Sequence, residues 1–183
     1  YMEEVAMGFH VLAAISLAVV ALARAAGAAA PNEAGAPAGR AAFERLKALV
    51  GSWEAESPGG RRVRLTYELA AGGSVLVERY TAGDLPGGET MLTTYYLDGE
   101  RLMLTHYCVA GNQPRLRAER FDPGAGELEF EFAGASNLPD PNAGHIRRAK
   151  FRFEDADRFT GEWEWFEKGR LAKTEVLRYR RVR

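Results

Sequence analysis

The clearest structural signal in the chain is TTYYLDGERLMLTHY at residues 93–107. Two runs rich in aromatic, threonine and leucine residues flank the dipeptide Asp98-Gly99. Asp-Gly is typical of two-residue hairpin turns, because both central residues of such a turn adopt a positive φ that aspartate and glycine tolerate. The stretch therefore predicts a β-hairpin with strands at 89–97 and 101–109.

The alternation of apolar and polar side chains continues on both sides of this hairpin. In residues 62–69 and 127–132 every second side chain is apolar, and those between are mostly charged. This period of two indicates antiparallel strands with one solvated face. Glycine-containing turn signals separate the runs and no helix intervenes, which predicts an all-β, up-and-down antiparallel barrel. The ten predicted strands are 52–57, 62–69, 74–81, 89–97, 101–109, 115–121, 127–133, 146–154, 159–167 and 171–181.

The chain before these strands divides into three segments. Residues 11–23 are thirteen residues without a charge, followed by small residues to 30, which predicts a signal peptide at 1–30 or an uncleaved anchor. Residues 31–39 are rich in Pro, Gly and Ala and predict a disordered linker. Phe43, Leu46 and Leu49 share one helical face, so a short helix is expected at 40–50, ended by Gly51. The barrel domain is then 40–183.

Composition excludes several classes of function. The 24 basic and 25 acidic residues give a formal net charge of -1, which argues against a nucleic-acid partner. With Cys108 as the one cysteine, neither an intrachain disulfide nor a multi-cysteine metal site can form. No nucleophile elbow, phosphate loop, His-Glu-x-x-His motif or calcium loop occurs. We therefore predict no metal site and assign no catalytic residue, and whether the protein is an enzyme stays open.

The helix exit carries a family resemblance. A short helix that runs into Gly51-Ser52-Trp53 at the first strand resembles the opening of lipocalins and their calycin relatives. That resemblance implies that Trp53 plugs the closed end of the barrel. It also implies that an arginine of the last strand, Arg178 or Arg180, packs across the tryptophan.

A closer resemblance extends from about residue 42 to the end. The segments 91–99, 104–108 and 111–114 look like those of a family of bacterial exported proteins of unknown function, usually described as lipocalin-like. The resemblance supports the fold and supplies no activity.

His106 and Cys108 are the first candidates for chemistry. They share one face of the 101–109 strand, but neither face is clearly polar, so the alternation does not tell which one points inward. In one interpretation they are ligand contacts in the lumen or a thiol–imidazole pair. In the other, a buried cysteine packs as a small hydrophobe and the histidine hydrogen-bonds within the barrel.

The remaining candidates are aromatic or basic. Tyr95, Trp163 and Trp165 suit the wall of a barrel that holds an apolar ligand, although aromatic residues are more often plain core. His145 follows a long loop predicted at 133–144 and is more readily a surface residue than a ligand contact. Arg147 is placed to receive a ligand carboxylate or to form a charged rim.

The leading hypothesis is a periplasmic or secreted barrel that binds a small hydrophobic or amphipathic molecule. It would touch a membrane only through an uncleaved amino-terminal segment. One alternative is a redox or hydrolytic enzyme that uses His106 with Cys108. Others are a structural protein without ligand and a haem barrel of the nitrobindin type. The haem alternative is weakened because no histidine follows His145, where that family has its proximal ligand near the carboxyl terminus. No cofactor is therefore predicted.

Overall fold

In the computed structural model the described residues are 36–83 and 90–183. The predicted signal peptide or anchor at 1–30 lies outside them, as do residues 31–35 of the predicted linker. Within the described ranges, no helix is both long and apolar enough to cross a membrane.

The described residues form one α-helix followed by ten strands, with one 3-10 turn at Ala71–Gly73 between the second and third strands. The strands pair in chain order, each antiparallel to the next, and β1 pairs with β10 to close a barrel. This confirms the predicted all-β, ten-stranded antiparallel barrel with a short helix before it. The elements are α1 (Ala36–Lys47), β1 (Gly51–Glu56), β2 (Arg62–Ala70), β3 (Val75–Ala82), β4 (Thr90–Asp98), β5 (Arg101–Tyr107), β6 (Gln113–Asp122), β7 (Glu127–Ser136), β8 (His145–Phe153), β9 (Arg158–Glu167) and β10 (Arg170–Arg181).

The helix boundaries differ from those predicted. α1 includes residues 36–39, which the sequence assigned to the linker, and it ends at Lys47, before the expected glycine. Gly39 packs closely on the β4–β5 connection, where an added Cβ would lie 2.1 Å from the carbonyl oxygen of Glu100. This tertiary contact explains why a Pro/Gly/Ala segment is helical here. Gly51 has a φ of 123° but is the first residue of β1, not the end of the helix.

The long connection before β8 is also shorter than predicted. β7 continues to Ser136, so the first four residues of the predicted 133–144 loop belong to the strand. Gly134 has a φ of 144° beside a register shift in the β6–β7 pairing. A local bulge of this kind lets a strand continue through small residues that carry no alternation signal.

Aromatic side chains fill the barrel towards the end that α1 covers. Phe151 lies at their centre, with its ring 6.1 Å from the rings of Tyr95 and Phe130 and 6.3 Å from that of Phe159. Trp163 meets the same ring edge-on at 6.0 Å. Rings at these separations attract one another beyond the gain from burial alone. This region of the lumen is therefore solid core.

Trp53 closes the end of the barrel below this core. Its Nε1 donates a hydrogen bond to the carbonyl of Leu49 at 2.7 Å. The guanidinium of Arg181 lies 4.2 Å from the centre of the indole, within range of a cation–π interaction. The same guanidinium donates to the carbonyls of Ala48 and Val50, both at 2.8 Å. Arg181 thereby ties the helix exit to the last strand.

The prediction that Arg178 or Arg180 packs across the tryptophan was wrong. Leu177 and Tyr179 of β10 are buried in the barrel, so the residues on either side of Tyr179 face outward. Arg178 and Arg180 occupy those outward positions. Alternation brings Arg181, two residues after Tyr179, back to the inner side.

We expect Arg181→Ala to destabilise the protein by about 2 kcal/mol, since it removes charged hydrogen bonds to backbone carbonyls together with the cation–π contact. Arg180→Ala removes the same charge from the outer face and should change the free energy of unfolding by less than about 0.5 kcal/mol. Urea unfolding of the two variants measures the difference. Equal losses would contradict the role assigned to Arg181.

Candidate functional site: a cavity at the open end

The connections between strands lie alternately at two ends of the barrel. α1 packs at one of them, which we call the helix end, and Arg40 there donates to Glu100 in the β4–β5 connection at 2.8 Å. The β1–β2, β5–β6, β7–β8 and β9–β10 connections lie at the other end, the open end. Cys108 and the two residues after it belong to the β5–β6 connection and line a cavity. The cavity therefore belongs to the open end.

This cavity has a volume of about 240 Å³ and lies above the aromatic core. Its wall combines aromatic and aliphatic side chains with two carboxyls, an imidazole and an ammonium group. The lining residues are Glu78, Tyr80, Met91, His106, Cys108, Val109, Ala110, Ile146, Trp163, Trp165, Lys173, Glu175 and Tyr179.

Four polar residues form a row across β2 to β5 beside the cavity. In the strand register Tyr67 pairs with Glu78, Glu78 with Thr93, and Thr93 with His106. Residues directly opposite in antiparallel strands have neighbouring side chains on the same face. The register alone thus brings a phenol, a carboxyl, a hydroxyl and an imidazole to one level inside the barrel.

Hydrogen bonds connect this polar row. Glu78 Oε2 accepts from the hydroxyls of Tyr67 at 2.6 Å and of Tyr95, one step nearer the core, at 2.7 Å. Glu78 Oε1 accepts from Thr93 Oγ1 at 3.3 Å, and Thr93 Oγ1 lies 3.0 Å from Nδ1 of His106. Nδ1 of His106 is the second hydrogen-bonding neighbour of this hydroxyl, and the tautomer of the ring sets whether it donates or accepts.

Burial perturbs the acidities in this row. Glu78 is 4% exposed, and burial raises the pKa of its carboxyl, although the hydrogen bonds from Tyr67, Tyr95 and Thr93 oppose the rise. Burial lowers the pKa of His106 to about 4. The imidazole is therefore neutral at physiological pH and serves as a hydrogen-bonding group, not as a charge.

The charged groups at the rim pair with one another. Glu175 forms ion pairs with Arg61, from the β1–β2 connection, and with Lys173 at 3.5 Å. Both partners of this carboxylate are basic, whereas the hydrogen-bond partners of Glu78 are all hydroxyls. The two carboxyls of the cavity therefore differ in their surroundings.

The structure brings four of the predicted ligand-binding residues to the cavity wall: His106, Cys108, Trp163 and Trp165. The direction of His106, which the alternation left open, is inward, and its ring lies 5.4 Å from that of Trp163 across the lumen. Tyr95 lies below the cavity and reaches it only through Glu78. Whether these residues contact a ligand stays a prediction.

His145 and Arg147 lie apart from the cavity lining. His145 is 1% exposed, with its ring 4.8 Å from that of Phe132 and Nδ1 2.7 Å from the carbonyl oxygen of Ala143. The preferred surface placement of His145 was wrong, because its ring is buried against Phe132 of β7. Arg147 is exposed and packs over the rings of Phe132 and Phe166 on the outside.

The geometry weakens the thiol–imidazole alternative. An activated cysteine needs a lowered pKa, yet burial raises the pKa of the Cys108 thiol. His106 is neutral and hydrogen-bonded to Thr93, so it brings no positive charge to the thiol.

The haem alternative does not fit this cavity. An engineered cavity of roughly 150 Å³ holds benzene, and a space of about 240 Å³ is far too small for a porphyrin. His145, the last histidine of the sequence, does not line it. Among residues 36–83 and 90–183, no cluster of three His, Cys, Asp or Glu side chains is arranged to hold a metal ion.

Glu78 is the functional candidate that the sequence analysis missed. Residues 75–82 read VLVERYTA, with apolar side chains on both faces, so the strand by itself does not show which face is buried. The neighbouring strand does contain the signal. A tight connection at residues 71–73 sets Tyr67 opposite Glu78, and the alternation of β2 had already directed Tyr67 inward.

Comparisons with known proteins give no functional assignment. No family model matches the chain, and no curated protein matches it. The lipocalin and calycin resemblance therefore stays an expectation drawn from the sequence.

The comparison with solved structures does find matches. One is a protein of unknown function from the DUF3598 family of Nostoc punctiforme PCC 73102, with 12% identity and a TM-score of 0.49 over 75% of this chain and 49% of that one. The chain thus spans about half the length of that protein. Another is a redesigned β-barrel, with 6% identity and a TM-score of 0.37 over 76% of this chain and 95% of that one. At these identities and TM-scores the likenesses carry no argument about function.

We expect the stability of the protein to fall on acidification because of His106. The folded state depresses the pKa of this ring from 6.5 to about 4, so its contribution is complete above pH 6.5 and is lost as the pH falls towards 4. The full effect is about 3 kcal/mol. Glu78 acts in the opposite sense, because its raised pKa favours the folded state as it takes up a proton.

Urea unfolding of the wild type and of His106→Gln between pH 7 and pH 4 tests this expectation. The variant keeps Glu78 but has no ring to protonate, so the difference between the two pH profiles reports His106. Parallel profiles would show that the histidine does not titrate as its burial requires.

We expect Cys108 to be a slow nucleophile. Burial raises the pKa of its thiol above the ordinary value of 9.0, so the rate of alkylation by iodoacetamide should still be rising beyond pH 9. Cys108→Ser, which leaves no cysteine in the chain, gives the background. An inflection below pH 7 would restore the enzyme alternative with His106.

Proposed function

We propose that this protein is an exported binding protein that holds one small amphipathic molecule in the cavity at the open end of its barrel. The observation that carries the proposal is the combination of a solid aromatic core with an unfilled, mainly apolar space directly above it. Export is inferred from the uncharged segment 11–23 alone, and it would place the protein in the periplasm or outside the cell.

The size of the cavity limits the ligand. By proportion to the roughly 150 Å³ cavity that accommodates benzene, a space of about 240 Å³ accepts roughly ten non-hydrogen atoms. This corresponds to a single substituted ring or a short branched chain, and it is smaller than a typical fatty acid or retinoid. A ligand of this size gains affinity chiefly from the apolar area that it removes from water.

The wall chemistry favours an amphipathic ligand over a hydrocarbon. Met91, Ile146 and the two tryptophans give an apolar surface, while Glu78 and His106 place hydrogen-bonding groups along one side. Ligand sites generally combine a largely apolar wall with a few fixed polar groups that set orientation. A pure hydrocarbon would offer no donor to the acceptor position of Glu78 that its three hydroxyl partners leave open.

Native mass spectrometry of the protein purified from its own host tests whether a bound molecule is retained. Titration of the ligand-free protein with small aromatic compounds tests whether the cavity binds them. Trp163 and Trp165 line the cavity, so ligand entry should change the intrinsic fluorescence. Failure of every compound of about ten non-hydrogen atoms to bind, together with no retained molecule, would contradict the proposal.

We expect Ile146→Trp to weaken binding at least tenfold, because Ile146 is half-buried in the cavity wall and the larger side chain occupies the ligand space. Val176→Trp is the matched control, since Val176 is exposed on the outer face of β10. Calorimetric titration measures both variants. Binding that is equally strong in both would place the ligand outside this cavity.

A further inference from the structure

We propose that the ligand is a small organic ammonium ion whose N–H groups bind Glu78 and whose hydrocarbon portion packs against the aromatic wall. This inference rests on the proposed binding function and assigns its chemical class. It follows from three features of the cavity: the partners of Glu78, the aromatic residues around it, and the pairing of the other charges.

The carboxyl of Glu78 is buried without a basic partner among its hydrogen bonds. Three hydroxyls, those of Tyr67, Tyr95 and Thr93, donate to it. A carboxylate has about four acceptor positions, so one remains for a further donor. Neutral donors offset some of the cost of burying a carboxylate, but they do not balance its charge. A cation in the adjoining space would do so.

The walls next to Glu78 suit a cation. Tyr80, Tyr179, Trp163 and Trp165 line the same cavity. The faces of aromatic rings carry partial negative charge and attract ammonium groups, most strongly where water is excluded. A buried carboxylate beneath several aromatic side chains therefore favours an organic cation over a neutral molecule of the same shape.

The basic groups near the cavity do not oppose this assignment. Lys173 and Arg61 both form ion pairs with Glu175 at the rim, and neither is among the hydrogen-bond partners of Glu78. His106 is neutral because burial lowers its pKa to about 4. An anionic ligand, in contrast, would have to lie beside Glu78 in the interior, where like charges repel strongly.

Three probes of matched size separate the possibilities: 2-phenylethylamine, 2-phenylethanol and phenylacetate, titrated calorimetrically into the intact protein at neutral pH. We expect the amine to bind at least tenfold more tightly than the alcohol, as one charge-assisted hydrogen bond predicts. Phenylacetate should bind more weakly than either. Equal or tighter binding of the alcohol overturns the ammonium assignment and leaves the binding function standing, whereas no binding by any probe contradicts both.

Variants assign the preference to one side chain. Glu78→Gln should weaken amine binding at least tenfold and change alcohol binding less than about threefold, because the amide keeps the shape and removes the charge. Glu68→Gln is the matched control, since Glu68 lies on the outer face of β2 and pairs with Arg79. Unchanged amine affinity in Glu78→Gln would overturn the assignment. If that variant does not fold, the comparison of probes on the wild type still decides the question.

Discussion

The barrel depends on one short seam, where its first and last strands meet. β1 and β10 pair at two positions, Trp53 with Arg181 and Glu54 with Arg180. The Arg181 side chain strengthens this seam by binding the carbonyls of the helix exit across the indole of Trp53. Once the sheet is closed, each strand residue can face only the lumen or the outside. That restriction determines the core, the cavity and the groups that line it.

The same restriction explains why tyrosines stand beside Glu78. The closed register leaves this glutamate on the inner face, where an unpaired carboxyl costs several kcal/mol. The hydroxyls of Tyr67 and Tyr95 converge on one of its oxygens, and their rings also belong to the apolar core. Phenylalanine at either position would fill the same space but leave the carboxyl with fewer donors. Packing of the two tyrosine rings in the core thus positions the hydroxyls that hold the Glu78 carboxyl at the bottom of the cavity.

The sequence predicted the fold well because alternation and turn chemistry are local signals. Each strand shows its own period, and Asp98-Gly99 predicted the β4–β5 hairpin, although Asp98 pairs with Arg101 and the turn residues are Gly99 and Glu100. The missed features depend on neighbouring strands instead. The inward direction of Glu78 follows from its pairing with Tyr67, and the burial of His145 follows from Phe132 in the adjacent strand. The inward direction of Arg181 could have been predicted from the sequence, because it continues the alternation of Leu177 and Tyr179. The family resemblance instead suggested Arg178 and Arg180.

The short seam also has a consequence for the wall of the barrel. Towards the open end β10 continues to pair with β9, but within the described residues it has no register partner in β1 beyond Arg180. The ion pair between Arg61 and Glu175 spans this interval instead. Breaking an ion pair between two partly exposed side chains costs far less free energy than breaking a series of backbone hydrogen bonds between strands. Within the described residues, the junction between β1 and β10 is therefore the place where the barrel wall depends most on side chains.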